Sequence, residues 1–128
     1  MASLLLDTCA LVWLASKPDR FSPETREALL GAERLLYSPI SAWEIALKAG
    51  RGTLSLPLPA REWFDRVVAR YGLEAAPLDE AVLFRSAELP GHHRDPADRF
   101  IIATALEKGV PVVTGDARFG AYGVEVLA

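Results

Sequence analysis

With 128 residues, 51% of them apolar and 24% charged, the chain has the balance of an ordinary globular protein and room for one compact domain. Its longest apolar run, Leu4 to Ala15, is interrupted by Asp7 and falls short of the roughly 20 residues needed to span a bilayer. A formal net charge of −3 argues against a broad basic face of the kind that grips nucleic acid without regard to sequence. No basic leader precedes the first apolar stretch, so it does not read as a signal peptide, and the expected address is cytoplasmic. Cys9, the single cysteine, excludes an intrachain disulfide and a cysteine-based zinc site. A phosphatase-type loop would need glycines and an arginine after it, so a buried, inert thiol is expected.

Strand and helix signals alternate along the chain. Ser3–Leu6 reads as a strand and Thr8–Ser16 as a short helix. Ser22-Pro23 starts a second helix, with Ser as N-cap and Pro at the first helical position, running to about Ala32. Arg34–Ser38 is the second strand. Ser41–Ala49 is helical, with Gly50 expected as a left-handed cap. Pro59–Tyr71 is a helix stopped by Gly72, Leu73–Ala76 a strand, and Asp79–Leu89 a helix capped by Asp79. Pro96–Lys108 is a long helix stopped by Gly109, followed by strands at Val110–Thr114 and Val124–Leu127. The expected fold is α/β: residues 1–128 form one domain, a central parallel sheet flanked by helices. Ligands of such sheets bind at the carboxyl ends of the strands.

Four acids stand in positions that draw attention. Asp7 follows Leu4-Leu5-Leu6 directly, and Asp116 follows Val112-Val113-Thr114-Gly115, so both lie at strand ends; either also suits a helix cap. Asp98 shares a helix face with Ile101, Ile102 and Ala105, where an ionised carboxylate is costly unless a cation or strong hydrogen bonds compensate it. Asp95, just before Pro96, is the better N-cap. Glu44 has Lys48 four residues on, a surface ion pair by spacing, but its immediate neighbours are nearly all apolar. Together, carboxylates from two strand ends and two helices can converge at one edge of the sheet. They would raise one another's pKa values unless a cation sat among them. Oxygen ligands alone favour a hard ion, Mg²⁺ or Mn²⁺, and such a site activates water against a phosphodiester. Lys48, Arg51, Arg94, Arg99 and Arg118 lie near these acids in sequence and are candidates for holding phosphate oxygens. His92 and His93 read as part of a solvated loop near the site's entrance, a zinc role being the weaker reading.

Leu5-Leu6-Asp7-Thr8, Ser41-Ala42-Trp43-Glu44-Ile45, Asp95-Pro96-Ala97-Asp98-Arg99-Phe100-Ile101-Ile102-Ala103-Thr104-Ala105 and Val113-Thr114-Gly115-Asp116 resemble the motifs of the PIN domain, in that family's order and over nearly the whole chain. More narrowly they resemble the VapC-type toxins of toxin–antitoxin pairs. The resemblance implies a compact α/β fold whose four acids fall on Asp7, Glu44, Asp98 and Asp116, with Thr114 supporting a metal-bound water. It further implies Mg²⁺- or Mn²⁺-dependent cleavage of single-stranded or looped RNA, leaving a 5′-phosphate and a 3′-hydroxyl. It also implies a homodimer and a cognate antitoxin that blocks the acidic site. The competing readings are a silent PIN-like module that binds RNA or protein, a housekeeping RNA-processing nuclease, and a phosphotransferase using Asp7 as nucleophile. That last class usually has a second Asp where this chain has Cys9. The net charge further predicts weak RNA binding without metal.

Overall fold

The computed structural model describes residues 2–128. The strands are β1 (Ser3–Leu6), β2 (Arg34–Tyr37), β3 (Glu74–Ala75), β4 (Val112–Val113) and β5 (Val126–Leu127). The helices are α1 (Thr8–Ser16), α2 (Pro23–Gly31), α3 (Pro39–Gly50), α4 (Ala60–Tyr71), α5 (Glu80–Glu88) and α6 (Pro96–Lys108). The strands form one sheet in the order β3-β2-β1-β4-β5, and every pairing is parallel. β1 is the central strand, with Leu5 beside Leu36 on one side and Val112 on the other. A parallel strand covered on both faces reads as a continuous apolar run, which is why three leucines stand together there.

Successive side chains of β1 divide the core into two layers. Leu4 and Leu6 pack with Leu11 of α1, Leu29 of α2, Ile45 of α3, and Trp63 and Val67 of α4. Leu5 faces the opposite way, against Ile101, Ile102 and Ala105 of α6 together with Val112 and Phe119. Phe119 arrives on a 3₁₀ segment, Ala117–Tyr122, that follows β4 and inserts the ring fully into the core.

The expected elements are present, with shifted boundaries. α3 begins at Pro39, not Ser41, because Ser38 is its N-cap and accepts the Ile40 amide at 3.2 Å. Gly50 ends that helix without adopting a left-handed conformation; Gly52 takes it instead, with φ of 77°. The strands expected over residues 73–76, 110–114 and 124–127 each pair over only two residues. Pro111 has no amide to donate, although its carbonyl accepts the Leu5 N–H at 3.0 Å. No described helix is long and apolar enough to cross a membrane.

Candidate active site

The carboxyl ends of β1 and β4 open into a cavity of about 460 Å³ lined by Asp7, Glu44, Asp98 and Asp116, with Thr8, Cys9, Trp13, Lys48, Asp95, Gly115, Ala117 and Arg118. All four sequence-selected acids therefore meet. Asp7 and Asp116 cap helical segments and line the cavity at once. Asp7 Oδ1 accepts the Ala10 amide at 2.8 Å and so starts α1, while Oδ2 accepts the Thr114 hydroxyl at 2.5 Å. Asp116 Oδ1 accepts the Arg118 amide at 2.9 Å and starts the 3₁₀ segment, leaving Oδ2 to face the cluster. Thr114 joins the two acids, since its oxygen also accepts the Asp116 amide at 3.0 Å. Its hydroxyl proton is thus committed to Asp7.

The helices supply the other two acids. Asp95 caps α6 through the Ala97 amide, 2.9 Å away, which leaves Asp98 in the first turn free of that task. Glu44 lies midway along α3, held beside α1 by the Thr8 and Ser41 hydroxyls, which are 2.9 Å apart. Its ion pair with Lys48 forms at 3.0 Å through Oε2, yet Glu44 is only 6% exposed. Its other oxygen, Oε1, is buried with no hydrogen-bond partner among the described residues. An orphaned carboxylate oxygen beside three further acids is unfavourable in the protein alone and suits a hard divalent cation. The donor set thus fits the expected metal.

Electrostatics separate the acids. Burial pushes Asp7 up to about 6, with the charges of Glu44 and Asp116 adding to it against the Thr114 and Ala10 hydrogen bonds. Burial, then the neighbouring charge of Asp95, raises Asp98 to about 7. Asp116 moves the other way, to about 2, because the Arg118 guanidinium hydrogen-bonds it through Nε at 3.0 Å and Nη2 at 2.8 Å. Carboxylates driven apart in this way are a mark of functional sites.

The five candidate phosphate-holding cations part company. Lys48 and Arg118 reach the cavity and pair with Glu44 and Asp116. Arg51 and Arg94 are exposed and do not line it. Arg99 turns away: Nη1 donates to the Pro90 and His93 carbonyls at 2.9 and 3.0 Å, and Nη2 to those of Ser86 and Leu89 at 2.8 and 2.7 Å. It closes the end of α5 and fixes the loop that leads into α6. Two further expectations are corrected. Cys9 is exposed at the cavity rim, although desolvation of its sulfur and the charge of Asp7 push the thiol up and keep it protonated. His93 is buried, not solvated; His92, stacked edge-on to Tyr122, stays exposed.

Sequence reading also missed why Gly115 separates Thr114 from Asp116. The tip of the Trp13 indole lies where its side chain would be, 2.6 Å from a Cβ built there. Phe21, edge-on with centroids 5.6 Å apart, and the Arg20 guanidinium, 5.6 Å from the ring centroid, hold that indole in place. Gly115→Ala is therefore expected to cost about 1–3 kcal/mol of stability in denaturant titration. Combining it with Trp13→Leu should recover part of that loss; equal costs in both backgrounds would refute the contact.

Residues 4–125 match the PIN domain family, and the chain belongs to it. It is 33% identical over 125 residues to Ribonuclease VapC22 of Mycobacterium tuberculosis, covering 95% of this chain and 93% of that one. Among solved structures it resembles a chain of FitAB bound to an IR36 DNA fragment, at TM-score 0.61 and 26% identity over 97% of this chain and 93% of that one. A chain of VapBC2 from Rickettsia felis bound to a promoter DNA fragment superposes at TM-score 0.71 with 17% identity, over 97% and 96% of the two chains, which speaks to the fold.

Proposed function

We propose that this PIN domain is a metal-dependent endoribonuclease and the toxin of a toxin–antitoxin pair. The buried, unpartnered Oε1 of Glu44, a residue that lines one cavity with Asp7, Asp98 and Asp116, is the observation that carries the reading. The four acids would hold Mg²⁺ or Mn²⁺, which when bound supplies charge neutralisation and activation of water for attack at phosphorus. Lys48 and Arg118, at the cavity mouth, are placed to meet phosphate oxygens once the cation takes over their partners Glu44 and Asp116. Thr114 keeps Asp7 oriented.

Two rivals fit less well. A silent binding module gains nothing from an orphaned buried carboxylate oxygen. A covalent phosphotransferase of the class considered usually carries a second Asp two residues after the nucleophile, where this chain has Cys9 at the cavity. The relative named a ribonuclease and the neighbours named as VapBC and FitAB complexes favour RNA as substrate and an antitoxin as partner. Leu30, Trp43, Leu83 and Phe84, between 40% and 90% exposed, are apolar surface that a second copy and an antitoxin would cover. That leaves Leu11, Leu29 and Leu36 to the core.

Purified protein is expected to cut single-stranded RNA with Mn²⁺ or Mg²⁺, to stop in EDTA, and to leave 5′-phosphates. Because Asp7 and Asp98 must lose protons held to about 6 and about 7, cleavage and metal affinity should rise as pH climbs from about 5 to 8. Cleavage that persists in EDTA, or products ending in 2′,3′-cyclic phosphates, would overturn the proposal.

A further inference from the structure

His93 is buried beside Asp98 and Asp116. Its position is fixed on every side. The backbone amide donates to the Tyr122 hydroxyl at 2.7 Å, and that hydroxyl donates to the Pro90 carbonyl at 2.8 Å. Its carbonyl accepts Arg99 at 3.0 Å, and its ring meets Phe119 edge-on, centroids 5.8 Å apart. Ring nitrogen Nδ1 accepts the Asp95 amide at 3.2 Å. Nitrogen Nε2 hydrogen-bonds Asp116 Oδ2 at 3.0 Å and lies 3.0 Å from Asp98 Oδ2.

By distance alone His93, Asp98 and Asp116 form a three-ligand metal group, their donor atoms all within 4.8 Å of one another. The hydrogen-bond directions say otherwise. An imidazole nitrogen that accepts an N–H carries a lone pair and no proton, so with Nδ1 facing the Asp95 amide the ring proton stands on Nε2. A ligating nitrogen needs its lone pair free, and at Nε2 that direction is taken by the N–H. Moving the proton to Nδ1 would set two N–H groups against each other across 3.2 Å.

We infer that His93 is a positioning residue of the acid cluster and not a metal ligand: its Nε2–H, locked in that tautomer by Asp95, anchors the Asp116 carboxylate next to Asp98, whose Oδ2 lies 3.0 Å from the same nitrogen, so that both acids present oxygens to one cation. Partners of this kind commonly change metal affinity about 10- to 100-fold when removed. The inference rests on the metal-dependent reading, but the tautomer itself does not.

Two measurements test it. Nitrogen-15 spectra of the imidazole, on the wild-type protein with and without Mg²⁺, should show Nε2 as the proton-bearing nitrogen in both states. An Nε2 without a proton in the metal-free protein, or one that loses it on loading, overturns the inference. Calorimetric titration with Mn²⁺ then compares wild type, His93→Gln and His93→Ala. Gln places an amide N–H near the Nε2 position, so its affinity should stay within about threefold of wild type while Ala loses about tenfold or more. Equal losses in both variants would make His93 a ligand; no loss in Ala would deny it any role. A wild type that binds no Mn²⁺ refutes the nuclease reading and the positioning role together, and is recognised by flat titrations throughout.

Discussion

Asp98→Asn is expected to abolish RNA cleavage, by about 100-fold or more, while making the metal-free protein more stable at pH 8. The two effects share one cause. Asp98 is held at about 7 in the folded chain by burial and by Asp95, against an ordinary value of 3.8. A proton bound more tightly in the folded state stabilises the fold at low pH, and that benefit disappears as pH rises through about 7. Above that pH the ionised carboxylate weighs against the fold, by about 2 kcal/mol once solvent screening is allowed for. The amide has no such charge, so its melting temperature should exceed that of wild type by about 5–10 °C at pH 8 and converge on it near pH 4, where the carboxyl is protonated in both states. Saturating Mn²⁺ should reverse the order, since only the wild type gains from binding. Calorimetric melts at the two pH values, with and without metal, settle the point: an Asn variant less stable than wild type at pH 8 would mean that Asp98 is satisfied by protein contacts alone.

Arg99→Ala is expected to destabilise the protein by about 2–4 kcal/mol, and Arg99→Lys by most of that amount. One guanidinium serves four carbonyls, from Ser86, Leu89, Pro90 and His93, and a single ammonium cannot reach all of them. Their loss frees the end of α5 and the segment carrying His93 and Asp95, so weaker metal binding should accompany the lower stability. Guanidinium titration and Mn²⁺ calorimetry read both. Unchanged stability with weaker RNA binding would return Arg99 to the phosphate-holding role that its sequence position suggests.

Arg99 marks one limit of sequence reading here. Its charge and its place beside Asp98 point to phosphate, and nothing in the chain reveals that four carbonyls converge on it. His93 shows the same limit, because a histidine in a polar loop carries no periodic signal, and its burial depends on Tyr122 and Phe119 from a distant segment. Gly115 depends on an indole that arrives from α1. Among the acids, Asp98 is the one that local pattern exposes, because it interrupts the apolar face of its own helix. Asp7 and Asp116 at strand ends read equally well as caps, and Glu44 as half of a surface ion pair, so it is the resemblance to the family's motifs that ties the four together. The elements follow from caps and periodicity, while their limits shift where a cap lies upstream of the first expected helical residue, as Ser38 does for the helix expected from Ser41.

Asp7 and Asp116 each divide their two oxygens, one beginning a helical segment and the other bonded within the acid cluster, to Thr114 for Asp7 and to His93 for Asp116. Glu44 and Asp98 cap nothing. Mutational decay of this protein should therefore be lopsided. A lineage released from the need for activity can shed Asp98 or Glu44 with no damage to its architecture, and with some relief of it. Losing Asp7 or Asp116 costs a helix start as well. Inactivated descendants would then keep the two strand-end aspartates as fossils of an enzyme, long after the helix acids had gone.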